Sequence, residues 1–176
     1  MQGFYRLAEG VIVLPLMNSI MTQPELWDKD KARTTFEGTA HAQVHDILLR
    51  FGKMDGDDLI AADRPEMQRI AGAKMMALNI MNLVSGSQLG RVIITKLEPG
   101  KKILPHADVK GAYAAFYSRY CVVLQGLPGS LYRVADETVN MRTGEVWWAD
   151  VSKEHEVMNN SSDDRIHMLI DLRLDK

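Results

Sequence analysis

Pro105-His106-Ala107-Asp108 is the stretch that decides how this chain is built. It follows an apolar run, Arg91 to Leu97, and the turn signal Pro99-Gly100. If His106 starts a strand, side-chain alternation puts His106 and Asp108 on one face, two residues apart. A histidine from another strand, such as His155 in Glu154-His155-Glu156, then completes two imidazoles and one carboxylate on one side of a metal. That donor set leaves coordination positions open and suits non-haem Fe(II). H-x-D alone is a weak signal, since polar loops produce it freely, so order and context must carry it. The context is several short strand-like runs, a lone histidine, then Arg165 on a final apolar strand. A guanidinium aimed into the same cavity suits a dicarboxylate, because its planar fork matches a carboxylate in two hydrogen bonds.

Around this stretch, the second half of the chain reads as short strands. They are Arg91–Leu97, Arg119–Gln125, Gly129–Val134, Gly144–Trp148, Glu154–Val157 and Arg165–Leu174, separated by turn signals at Pro128-Gly129, Thr143-Gly144 and Asn159–Asp164. The first half is more helical. Val11–Leu16 reads as an edge strand, with Pro15 inside it. Thr22-Gln-Pro-Glu25 is a capping-box pattern that predicts a helix over Gln23–Arg33. Asp46–Phe51 reads as a strand and Gly52–Asp58 as a loop. Asp63-Arg-Pro-Glu66 predicts the start of the longest helix, running to Leu83, with Met67, Ile70, Ala71, Met75, Leu78 and Met81 on its buried face. Helices first and many short strands later predict a mainly β, α+β fold. The expected architecture is a double-stranded β-helix (a cupin-like jelly roll) buttressed by N-terminal helices. At 176 residues a single domain is expected. Residues 1–86 would supply N-terminal strands and supporting helices, and 87–176 the core jelly roll with the metal site.

Composition narrows the partners. A net charge of −2 with no basic block argues against a nucleic-acid surface. No run of about 18 apolar residues is present, so no membrane span is expected, and the start lacks a basic region and cleavage site of the secretory kind. Cys121 is the single cysteine, which excludes an internal disulfide or a cysteine-cluster metal site and fits a reducing, cytoplasmic location. Of the eleven methionines, Met67, Met75, Met76 and Met81 read as gap-filling core residues.

The ordered set L-E-P-G-K-K-I-L-P-H-A-D (97–108), R-Y-C-V-V-L-Q (119–125), G-E-V-W-W-A-D (144–150), H-E-V-M-N-N-S (155–161) and D-R-I-H-M-L-I-D-L-R (164–173) resembles the aspartyl/asparaginyl β-hydroxylase family of Fe(II)/2-oxoglutarate dioxygenases. The resemblance spans about residues 91–173 and is far more specific than H-x-D alone. It implies that His106, Asp108 and His155 ligate Fe(II), that Arg165 binds a carboxylate of the co-substrate 2-oxoglutarate, and that Arg119 makes a second carboxylate contact. Animal members that hydroxylate Asp and Asn lack the acidic ligand. Asp108 places this chain nearer the bacterial members, which include free-amino-acid hydroxylases.

Other residues are weighed beside these. Arg119, Cys121, Val123 and Gln125 should share a strand face, with Cys121 a buried small hydrophobe. Trp147 and Trp148 must face opposite ways, one into the core and the other available to roof a pocket. His41 and His45 are four apart; a pocket-lining role for His45 or Arg50 is favoured over a second metal site. His167 shares the Arg165 face and reads as a hydrogen-bonded barrel histidine. Asp150 reads as a turn residue, and Glu154 and Glu156 should point away from the metal. Three functions compete: hydroxylation of an amino acid, free or as an Asp-, Asn- or Pro-type residue in a peptide, with dioxygen as co-substrate; a non-catalytic cupin-like metal or ligand binder; and oxidation of a nucleic-acid base. A plain binder has no need for two arginines aimed at a dicarboxylate, which favours the first.

Overall fold

Side chains along β6 (Ser118–Gln125) alternate between two different cores, and this alternation organises the molecule. Tyr120, Val122 and Leu124 pack with helical residues, while Cys121 and Val123 pack with residues of a second sheet. The computed structural model describes residues 2–53, 59–109 and 111–175. In chain order, the other strands are β1 (Phe4–Ala8), β2 (His45–Phe51), β3 (Ala62–Asp63), β4 (Gly86–Leu97), β5 (Lys102–His106), β7 (Ser130–Val134), β8 (Glu137–Val139), β9 (Val146–Ala149), β10 (His155–Asn159) and β11 (Arg165–Leu174). The helices are α1 (Leu14–Met21), α2 (Pro65–Arg69), α3 (Ala73–Leu83) and the short α4 (Gly111–Phe116).

A seven-stranded antiparallel sheet runs β1-β9-β6-β11-β4-β2-β3, and a four-stranded one runs β5-β10-β7-β8. Between them lie Phe4, Leu97, Cys121, Val123, Tyr132, Val134 and Val157. The outer face of the large sheet (Ile47, Ile94, Met168 and Ile170 among others) is covered by Leu16, Ile20, Met67, Ala77 and Ile80 of the helices. This is the jelly roll with helical buttress. Along β11, Ile166, Met168, Ile170 and Leu172 join the helical core; by alternation Arg165, His167, Leu169 and Asp171 face the other way, toward the space between the sheets.

The N-terminal half departs from expectation in several places. Val11–Leu16 is not a strand: Pro15 sits in the first turn of α1, where its missing N–H costs nothing. The strand lies earlier, at β1, beside β9. The Thr22 hydroxyl does not cap a following helix; it donates back to the Asn18 carbonyl at 3.0 Å, closing α1, and only a 3₁₀ turn, Pro24–Leu26, follows. The long helix is two helices, split at Gly72, whose φ of 82° is left-handed and costs glycine little. The split rotates the buried face to Ala73, Ala77 and Ile80, leaving Ala71 exposed and Met75 63% exposed rather than in the core. Most of the loop expected at Gly52–Asp58 lies outside the described residues. Among the described residues no helix is long and apolar enough to cross a membrane.

Candidate metal centre

His106 and His155 are opposite one another in the β5–β10 ladder, with ring centroids 4.2 Å apart. His106 ends its strand instead of starting one, so strand alternation is not what brings Asp108 alongside. The chain turns off after β5, and the Asp108 amide donates to the Val151 carbonyl at 2.8 Å, fixing the turn. One ligand atom each from His106, Asp108 and His155 then lie within 4.8 Å of one another.

The hydrogen bonds prepare these groups for a cation. His106 Nδ1 is 2.8 Å from the Leu104 carbonyl, and His155 Nδ1 is 2.9 Å from the Lys153 carbonyl. A carbonyl only accepts, so both Nδ1 atoms carry the proton, and both Nε2 atoms present lone pairs. Among the described residues His106 Nε2 is buried without a hydrogen-bond partner. Burial, followed by the neighbouring His106, lowers the His155 pKa to about 4, against the opposing Lys153 carbonyl and Asp108; the ring is neutral near pH 7. Asp108 divides its carboxylate. Oδ1 lies 3.7 Å from His106 Nε2, and Oδ2 accepts from Arg119 Nη1 at 2.7 Å. Burial opposes its ionisation, but Arg119, with His155 and His106, outweighs burial and holds its pKa below the ordinary carboxylate value. An orphaned buried nitrogen, a second imidazole of fixed tautomer and one free carboxylate oxygen fit a divalent metal such as Fe(II).

A cavity of about 480 Å³ opens beside this cluster, lined by His41, Arg91, His106, Asp108, Tyr113 and Arg119 among others. Arg119 is doubly paired: besides Asp108 it meets Asp171, with Nε 2.9 Å and Nη2 3.2 Å from that carboxylate. Burial would lower its pKa, but Asp171 and Asp108 raise it well above the ordinary value. Arg165 is buried on the inward face of β11. Its guanidinium lies over the Tyr132 ring at 5.8 Å, that ring is 6.1 Å from the His155 ring, and Arg165 is not among the residues that line the cavity, into which the sequence pattern aims it. Nη2 donates to His167 Nδ1 at 2.9 Å, and among the described residues no carboxylate meets Arg165. Burial lowers its pKa to about 10, partly offset by Cys121 and Tyr132, so it remains a cation. Since Arg165 only donates, His167 Nδ1 is the acceptor and Nε2 holds the proton.

The pocket-lining roles expected of His45 and Arg50 are not seen. His45 turns to Asp28 at 2.6 Å and Arg50 to Asp63 at 2.7 Å, and neither lines the cavity. His41 does, with its ring edge-on to His106 at 4.8 Å. Burial, then the charges of Arg33 and its neighbours, push its pKa far down. His41 lies on an irregular segment without periodicity, so no local pattern points to this contact. Trp147 packs on Phe4 between the sheets and Trp148 on Tyr5 at the other face, so neither roofs the cavity. Glu154 and Glu156 both turn to Arg133, away from the cluster. Cys121 is fully buried, and burial raises its thiol to about 11.

A model of the aspartyl/asparaginyl β-hydroxylase family matches residues 57–174, more than half of the chain. The chain belongs to that family. As a member of this hydroxylase family it is a 2-oxoglutarate-dependent dioxygenase, and its His-Asp-His cluster fits the iron of that chemistry. No curated protein matches it by sequence. Solved structures share the fold at low identity. An oxidoreductase of the 2OG-Fe(II) oxygenase family from Burkholderia pseudomallei is 13% identical, with a TM-score of 0.63, over 97% of this chain and 84% of that one. A prolyl hydroxylase from Trichoplax adhaerens, in complex with a hypoxia inducible factor peptide fragment, is 10% identical, with a TM-score of 0.67, over 97% and 83%. A Pseudomonas putida prolyl-4-hydroxylase is 14% identical, with a TM-score of 0.58, over 100% and 95%.

Proposed function

We propose that this β-hydroxylase-family enzyme hydroxylates an amino acid, either free or as an Asp-, Asn- or Pro-type residue in a peptide. The observation that carries the proposal is the pairing of two features: a His106–Asp108–His155 cluster at a cavity, and a buried Arg165 with no carboxylate among the described residues. His106 Nε2, His155 Nε2 and Asp108 Oδ1 would hold Fe(II). Bound there, the iron supplies dioxygen activation, coupling conversion of 2-oxoglutarate to succinate and carbon dioxide with insertion of the second oxygen atom into a substrate C–H bond.

The chain's own residues do the rest. Arg165 would anchor the distal carboxylate of 2-oxoglutarate, since a buried cation is costly without an anion and the co-substrate brings one. Tyr132, whose ring neighbours both His155 and Arg165, would pack against the co-substrate's carbon chain. Arg119 borders the cavity with its side chain 15% exposed and is the proposed second carboxylate contact, on whatever edge Asp108 and Asp171 leave open. The cavity is of small-molecule size, which suits an amino acid or one residue of a peptide. A cytoplasmic location goes with a single, unpaired cysteine. The test is a screen for succinate formed from 2-oxoglutarate, with Fe(II), across free amino acids and short peptides. Succinate that rises above the uncoupled background with one of them, together with a product 16 mass units heavier, supports the proposal. Iron binding without 2-oxoglutarate turnover would favour a non-catalytic metal-binding role.

A further inference from the structure

Asp171 is a buried carboxylate to which the proposed reaction gives no task. It faces inward from β11, 3% exposed, opposite Arg119 in the β6–β11 ladder. It accepts two hydrogen bonds from Arg119 and a third, at 3.0 Å, from the Tyr113 hydroxyl. That hydroxyl is fixed in turn by the Arg91 amide, which donates to it at 2.7 Å. The backbone makes room for this: a Cβ on Gly90 would lie 2.8 Å from the Tyr113 oxygen and as close to the Tyr117 ring. A buried ion pair is a poor way to hold two strands together, because apolar residues of the same volume do so as well or better. The Asp171–Arg119 pair therefore asks for another reason to exist, and its third edge offers one. Arg119 Nη1 grips Asp108 Oδ2, the oxygen turned away from His106.

Charge shows what the arrangement achieves. Asp108 and Arg119 alone would cancel, and a divalent metal would have to settle beside an uncompensated guanidinium. With Asp171 engaging the other edge of that guanidinium, the trio carries one net negative charge. Asp108 then presents an anionic oxygen to the metal and keeps its orientation. We infer that Asp171, acting through Arg119, is a positioning residue that sets both the orientation and the effective charge of the metal-ligating carboxylate. The inference rests on assigning His106, Asp108 and His155 to the metal.

Co(II) under anaerobic conditions is the probe, titrated calorimetrically and by its visible absorption, which reports the ligand field. Wild type should bind one equivalent and His155→Ala should lose it; if wild type binds none, the metal assignment fails and the inference about Asp171 falls with it. Asp171→Asn keeps the shape but removes the charge and replaces one accepting oxygen with an NH2 donor, and should weaken Co(II) by about 10- to 100-fold, the range for losing an outer partner of a metal ligand. Asp171→Glu keeps the charge despite its extra length and should bind more tightly than Asp171→Asn; a purely packing role predicts the reverse order. Arg119→Gln/Asp171→Asn removes the guanidinium as well, so its affinity should fall between Asp171→Asn and wild type, with a shifted absorption band. If Asp171→Asn does not fold, the double variant still decides. Wild-type affinity and spectrum in either variant, or a double variant no tighter than Asp171→Asn, overturns the inference.

Discussion

Arg165 Nη2 donates to His167 Nδ1 at 2.9 Å, and this buried guanidinium meets no carboxylate among the described residues. A neutral imidazole accepts one hydrogen bond but does not neutralise the charge. Arg165→Ala should therefore weaken 2-oxoglutarate by about 30- to several-thousand-fold, as losing one partner of a desolvated charge pair costs about 2–5 kcal/mol. Arg165→Lys keeps charge without the fork and should fall between. The measurement is apparent 2-oxoglutarate affinity at saturating iron, with iron binding itself near wild type. Unchanged affinity in Arg165→Ala would pass the anchoring role to Arg119.

The two imidazoles of the cluster come from neighbouring strands, but Asp108 comes from a loop, and the variants should separate these contributions. His155→Ala is expected to abolish stoichiometric Fe(II) binding measured anaerobically. Asp108→Gly removes the charged ligand and should weaken iron and suppress hydroxylation together. Hydroxylation at the wild-type rate in Asp108→Gly would mean that two histidines suffice here.

Much of this was legible in the sequence, and the reasons differ by element. Strand β6 stands out because Tyr120, Val122 and Leu124 alternate with Cys121 and Val123 between two apolar cores, and β11 because Ile166, Met168, Ile170 and Leu172 alternate with Arg165, His167 and Asp171, a period of two that no helix imitates. His155 and Arg165 stand out as polar groups in strand-like runs, and the H-x-D by its place shortly after the Pro99-Gly100 turn. Strand β5 was hidden by Pro105 near its end, so His106 seemed to open a strand that it closes. Pro15 misled in the opposite direction: an apolar run containing proline resembles an edge strand, yet proline is equally at home in a first helical turn. A left-handed Gly72 cannot be told from a tolerated helical glycine without tertiary context, so the sequence period reads α2 and α3 as one helix. The approach of His41 to His106 depends on how an irregular segment drapes over the sheet, which no local pattern encodes.

His41 sits edge-on to His106 and lines the cavity, yet it lies outside the metal-ligating cluster. Its removal should act on the substrate and spare the metal. His41→Ala is expected to raise the substrate KM several-fold, about 1 kcal/mol for one lost contact, with Fe(II) affinity unchanged. A proportional loss of iron binding would instead make His41 part of the metal's support.

The fold should also lose stability in mild acid, and His167 is a principal cause. Its ring is buried; burial first, and the adjacent Arg165 charge second, hold its pKa well below the ordinary histidine value. The unfolded chain releases the ring to water, where it takes a proton near pH 6.5. Between that value and the depressed folded one, the unfolded state binds the extra proton, so stability present above about pH 6.5 declines as pH falls. One such proton gives a slope of up to about 1.36 kcal/mol per pH unit. In metal-free protein His155, lowered to about 4, adds a contribution of the same sign down to that pH. His167→Gln retains an acceptor for Arg165 but cannot titrate. Urea midpoints of the metal-free wild type and His167→Gln, compared from pH 7.5 to 5.0, should therefore diverge in slope, with the variant less acid-sensitive whatever its stability at pH 7.5. Parallel curves would show that His167 is protonated inside the fold, a state that would place two cations against each other and require an anion between them.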